Sequence, residues 1–148
     1  MGGINLGRVV VGGLLAGLVI DVSEYLLNDI VLGAQIATAM ERLNLPPIGG
    51  GAIGVFVVLG FALGIATIWL YAAIRPRFGA GVRTALCAGA VVWFFAYLYP
   101  NIGLGVLGFF PPGLITLAVV WGLAELLVAA VAGAWLYQEA RRPVSAQG

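Results

Sequence analysis

The chain has 148 residues, of which 62% are hydrophobic and 9% charged, with mean hydropathy +1.10 and net charge +1. A water-soluble domain of this length carries roughly a quarter of its residues as charged groups, so lipid is the expected solvent for most of this surface. The charge balance gives no basic cluster for nucleic acid. A single cysteine (Cys87) and the absence of histidine exclude an intrachain disulfide, the common transition-metal and haem ligand sets, and a Ser-His or Cys-His catalytic pair. No enzyme activity, metal or cofactor is therefore expected.

Before the first apolar segment, Met1 to Leu6 lacks the residue pattern of a myristoylation signal. The segment itself carries acids and no clear small-residue exit, so it reads as an uncleaved span. A spanning helix needs about 20 mostly apolar residues, and four segments qualify: 9–32, 51–74, 82–99 and 112–137. They do not alternate polar and apolar residues as barrel strands do, and backbone groups in lipid must be satisfied internally, so all four are expected to be helices. The fold class is all-α, an integral membrane four-helix bundle in a single transmembrane domain.

The first span carries Gly13, Gly17, Asp21, Glu24 and Asn28 at spacings of 4, 4, 3 and 4, which place them along one helix face. The loop that follows repeats Ile36, Met40 and Leu43 at i, i+4 and i+7, which predicts a short amphipathic helix on the membrane surface. Pro46-Pro47 and Gly49-Gly50-Gly51 then break the chain before the second span. In that span Gly54, Gly60 and Gly64 mark a face for close helix packing. The third span contains Cys87, expected to pack as a small hydrophobe, and the aromatics Trp93 and Tyr97 on one face. A Gly-rich loop from Pro100 to Pro112 leads to the fourth span, where Ala118, Gly122, Glu125, Ala129 and Gly133 form a second stripe.

Small residues let helix backbones approach in lipid, so both stripes are expected to face other helices and to keep their acids out of hydrocarbon. Asp21 and Glu125 each lie roughly 20 Å along their spans. The first and fourth helices are therefore expected to pack around the carboxyls.

Six of seven arginines fall on one side: Arg8, Arg75, Arg77, Arg83, Arg141 and Arg142, against Arg42 alone on the other. The positive-inside rule then puts both termini, and the tail 138–148, in the cytoplasm of a bacterial cell, with the spans in its inner membrane. Pro-Pro opens and Trp-Leu-Tyr closes both the second and fourth spans, at Pro46-Pro47 with Trp69-Leu70-Tyr71 and at Pro111-Pro112 with Trp135-Leu136-Tyr137. This suggests two helical hairpins in a parallel repeat.

Carboxyls in hydrocarbon are expensive, and intramembrane acids are functional candidates by default. Asp21, Glu24 and Glu125, with Asn28, are the candidates for binding or for carrying a proton. Like charges crowded in a low dielectric cannot all stay ionised, so at least one is expected to hold a proton near neutrality. Tyr25, Trp93, Tyr97 and Trp121 are candidate supporting aromatics, since acid plus aromatic suits a lipophilic cation. Gly13, Gly17, Gly60, Gly64, Gly122 and Gly133 are candidate packing positions.

The four-span layout, the amphipathic segment from Ile36 to Leu43 and the glycine-rich third span from Gly89 through Trp93 resemble small uncharacterised bacterial membrane proteins of the domain-of-unknown-function kind. That resemblance implies the fold and brings no activity. Two functions fit the residues. One is a proton- or cation-coupled transporter of a small substrate, working as a homo-oligomer. The other is a non-catalytic accessory subunit docked on a partner membrane subunit.

Overall fold

The structure is a computed structural model that describes residues 3–137; Arg141, Arg142 and the tail 138–148 lie outside the described residues. Helix α1 (Leu6–Tyr25) continues without a break into a π-helical turn, Leu26–Val31. Helices α2 (Gly33–Arg42) and α3 (Gly50–Phe78) follow. Helix α4 (Val82–Trp93) runs through a second π turn, Phe94–Leu98, into α5 (Tyr99–Val106), and α6 (Pro112–Leu136) ends the described chain. Four of the resulting helices, Leu6–Val31, Gly50–Phe78, Val82–Val106 and Pro112–Leu136, are long and apolar enough to cross a membrane. That is consistent with a multi-pass membrane protein.

The helix ends follow local chemistry. Asn5 caps α1, its Oδ1 accepting from Arg8 N at 3.2 Å. α2 and α5 both close in Schellman motifs, with Leu45 N donating to Met40 O and Phe109 N to Leu104 O. The residues that must turn left-handed there are Asn44 (φ 53°) and Gly108 (φ 70°), the residue types that tolerate it best.

The third span differs most from its sequence reading, since the helix does not stop at Tyr99 but continues through Pro100 to Val106. Proline offers no N–H, and in a helix interior it costs about 3 kcal/mol. The π turn just before it absorbs the break: Tyr99 N reaches back five residues to Phe94 O, and Asn101 Nδ2 donates to Tyr97 O at 2.8 Å. The loop is thereby reduced to residues 107–111. α3 likewise runs past Pro76, in its last turn, to Phe78.

Packing centres on α1, whose closest neighbours are α3 and α6, with α4 packed on α6 and on α3. Glycines set the distances. A Cβ on Gly64 would strike the α1 backbone at Gly13 and Gly17, and one on Gly133 would lie 2.6 Å from Gly12 O. Gly89 does the same for α4 against Leu126 O of α6. Ile68 and Leu126, both with no exposed surface, fill the gaps these crossings leave.

At the arginine end, Tyr71 and Tyr137 meet edge to face at 5.8 Å. Gly81 N donates to Tyr71 Oη and Asn5 N donates to Tyr137 Oη, each at 3.3 Å. Arg75 lies over the Tyr137 ring at 5.4 Å. These contacts tie α1, α3, α4 and the end of α6 together. At the opposite end α2 folds back with Leu32 and Ala39 buried.

One packing expectation fails here. Gly54 faces open space, because residues 50–59 of α3 extend beyond the packed part of the bundle and are exposed all round. Cys87, read as a small hydrophobe, sits on the outward face of α4.

The two glycines give a direct contrast. Gly64→Ala forces α1 and α3 apart and is expected to cost about 1–3 kcal/mol. Gly54→Ala is expected to be neutral or to stabilise by up to about 1 kcal/mol. Thermal unfolding in mild detergent, followed by size-exclusion, checks both.

Candidate functional site

The face of α1 is shared between neighbours. Gly13, Gly17 and Asp21 point at α3, whereas Gly12, Ala16 and Ser23 lie on the side of α6. Glu24 falls between the two sets and turns toward the bundle interior. The single face read from spacing is therefore split across two packing partners.

Glu24 meets Glu125 of α6 across a third residue. Tyr97 Oη lies 2.6 Å from Glu24 Oε1 and 2.6 Å from Glu125 Oε1. A phenol carries one hydrogen and can donate to one of the two oxygens only. The other short contact needs a hydrogen from its own carboxyl. The geometry of this junction thus fits one neutral phenol, one carboxylate and one protonated carboxyl.

Tyr97 reaches this point for two reasons. It sits in the π turn of the third span, which rotates the residues that follow relative to an α register. Its ring then lies flat against Gly122, where any Cβ would overlap ring carbons. Gly122 precedes Glu125 by about one turn, so the hydroxyl arrives at the carboxyl. Gly122, expected as a helix-packing position, accommodates a side chain, because an aromatic ring needs the same clearance as a backbone.

The other π turn adjoins Glu24. Asn28, within Leu26–Val31, donates its Nδ2 to Glu24 Oε2 and also to Glu24 O, the latter at 3.0 Å. Glu24 is thus held by Asn28 on its outer side and by Tyr97 on its inner side. Glu125 is 4% exposed; the Ser23 hydroxyl lies close enough to act on its carboxyl, and among the described residues no hydrogen bond of ordinary geometry reaches Oε2.

Asp21 stands apart from this junction. Its Oδ1 packs against Gly60 of α3, which has no side chain to obstruct it, and its Oδ2 is buried with no hydrogen bond among the described residues. Trp121 Nε1 donates to Ser23 Oγ at 2.8 Å, stitching α6 to α1, and Trp93 Nε1 donates to Val119 O at 2.8 Å, stitching α4 to α6. Tyr25 does not join the site: it is 60% exposed, because one residue past Glu24 turns the side chain about 100° outward.

An open cleft of about 640 Å³ runs between α1 and α6, with Ser23, Trp121 and Glu125 among its lining residues and aliphatic side chains making up most of the rest. Among the described residues, no group of three or more His, Cys, Asp or Glu is placed to hold a metal ion.

Sequence reasoning missed Ser23 and both π turns. A signal for the second was present: Pro100 interrupts an otherwise apolar helix, and such a break has to be absorbed nearby. Asn28 and Asn101, each bonding the carbonyl four residues back beside a π turn, are a weaker signal of the same kind. Comparison of the chain with protein-family models, with curated proteins and with solved structures finds no match.

Tyr97→Phe leaves both carboxyls without their common partner. The variant is expected to lose about 1–3 kcal/mol, the cost of orphaning a buried polar group. Tyr25→Phe is expected to change stability by less than about 0.5 kcal/mol. Thermal unfolding of the two variants beside the parent protein separates the positions.

Proposed function

We propose that this protein is a small proton- or cation-coupled transporter of a small substrate. In this reading it works as a homo-oligomer in a bacterial cytoplasmic membrane, with both termini inside. The observation that carries the reading is the meeting of Glu24 and Glu125 on one Tyr97 hydroxyl. Glu125 is roughly 20 Å along α6 from Pro112, near the middle of a hydrocarbon core about 30 Å thick. A carboxyl kept at that depth without a neighbouring lysine or histidine is costly to retain for packing alone.

The three groups form a relay. A proton on Glu24 passes to the Tyr97 oxygen as the phenol hydrogen passes to Glu125, so one proton moves inward with no large displacement of atoms. The reverse exchange returns it. The π turns beside Glu24 and at Tyr97 are weak points in otherwise regular helices. They are natural places for the two spans to bend as access changes sides. Asp21, one turn from Glu24, is a second stop for a cation or proton. Four spans in one chain enclose little volume, which favours a homo-oligomer.

The accessory-subunit reading draws on a different observation. Residues 50–59 of α3 are all exposed and present Val55, Phe56, Val58 and Leu59 outward, a surface that a partner subunit could cover as well as lipid. The parallel repeat of helical hairpins stays a proposal on the Pro-Pro and Trp-Leu-Tyr signatures.

Reconstitution into liposomes with an entrapped pH dye tests transport. Imposed gradients of sodium, potassium or organic ammonium ions are expected to drive counter-movement of protons. Glu125→Gln is expected to lower the rate at least about tenfold, since it removes the buried charge that binds the exchanged ion. Flux that is unchanged in this variant, or a stoichiometric foreign subunit in the mass of the detergent-extracted species, would overturn the reading.

A further inference from the structure

We infer that the cleft between α1 and α6 binds an organic cation, a protonated amine with an apolar body that enters sideways from the bilayer. The inference rests on the transporter reading above and names its substrate class and its route of entry. The cleft holds about 640 Å³, inside the range of roughly 300–1,000 Å³ typical of small-molecule sites. Leu18, Val22 and Val120 on its walls are exposed on the outer surface of the bundle, so the opening faces the surrounding lipid and not an end of the protein. An apolar ligand dissolved in the bilayer reaches it without crossing water.

The polar content of the cleft selects the ligand. Glu125 is its one ionisable side chain. It is 4% exposed, and apart from Tyr97 and the neighbouring Ser23 hydroxyl its carboxyl meets no charged group in the cleft. The indole N–H of Trp121 is already committed to Ser23, which leaves the ring as an apolar or cation-binding surface. An anionic ligand would meet Glu125 with Glu24 close behind it. A neutral hydrocarbon would leave the Glu125 charge unbalanced. An ammonium group supplies a charged donor and the balancing charge together.

Binding exchanges charge for charge. The Glu24, Tyr97 and Glu125 junction holds one carboxyl proton beyond the phenol's own. As the ammonium group pairs with Glu125, that proton leaves through Tyr97 and Glu24 to solvent. One positive charge enters and one departs, so the junction keeps its net charge.

Three probes of one shape test the idea on the purified full-length protein in mild detergent: 4-phenylbutylamine, 4-phenylbutanol and 4-phenylbutyrate. Calorimetry in weak buffer with a pH dye reads affinity and proton release together. The amine is expected to bind saturably and to release about one proton. The alcohol and the acid are expected to bind at least about tenfold more weakly.

Glu125→Gln is expected to abolish both the preference and the proton release. Val120→Trp fills the cleft from an exposed wall position and leaves the carboxyl junction intact. It is expected to lose at least about tenfold in amine affinity while keeping the parent's unfolding temperature. Equal binding of amine and alcohol, or parent-like binding in Val120→Trp, would overturn the inference. Proton exchange against sodium or potassium in liposomes with no amine binding would sink this inference and leave the transport reading standing. Amine binding that Val120→Trp removes, without any proton flux in liposomes, would support the site and sink the transport reading.

Discussion

Two carboxyls from different helices share one phenolic hydroxyl in the interior of this bundle, and the rest of the site is arranged to make that possible. Neither Glu24 nor Glu125 has a lysine or histidine to pair with, because the chain contains none. In a low dielectric an unpaired buried charge is far more costly than a hydrogen-bonded neutral group. Sharing hydrogens through Tyr97 meets that cost without a cation. It also obliges three spans to come together at one level, since the hydroxyl and the two carboxyls each belong to a different one.

The glycines serve this convergence. Gly12 and Gly133 bring α1 against α6, and Gly13, Gly17 and Gly64 bring α1 against α3. Close backbone approach is a common source of association energy between helices where no hydrophobic effect operates. Farther along the same helices the clearance is used differently. Gly60 gives room to the Asp21 carboxyl and Gly122 to the Tyr97 ring. A position with no side chain can therefore admit either a neighbouring backbone or a functional group.

The π turns add a second constraint. Each lies next to a member of the junction, one just after Glu24 and the other containing Tyr97. A π turn is less favourable than the α-helix it interrupts, and such turns are found often at functional sites. In the third span the turn also explains how a proline sits inside a continuous helix. The same local defect thus aims Tyr97 and tolerates Pro100.

Much of the architecture was legible in the residues. Apolar runs of spanning length, the Ile36-Met40-Leu43 spacing and the Pro and Gly breaks located the long helices and α2, because backbone hydrogen bonding and hydropathy act locally. Asp21, Glu24 and Glu125 could be singled out as unusual, since an acid in an apolar run is conspicuous wherever the run ends up, whereas Tyr97 was one of four candidate aromatics. What sequence spacing could not decide was which acid meets which. Asp21 and Glu24 are one turn apart on α1, yet one faces α3 and the other faces Tyr97; Tyr25, adjacent to Glu24, faces outward. That choice depends on the rotation of α1 between two neighbours and on π turns that shift the register of whatever follows. Both are set by contacts between residues distant in the chain, so only the tertiary structure fixes them.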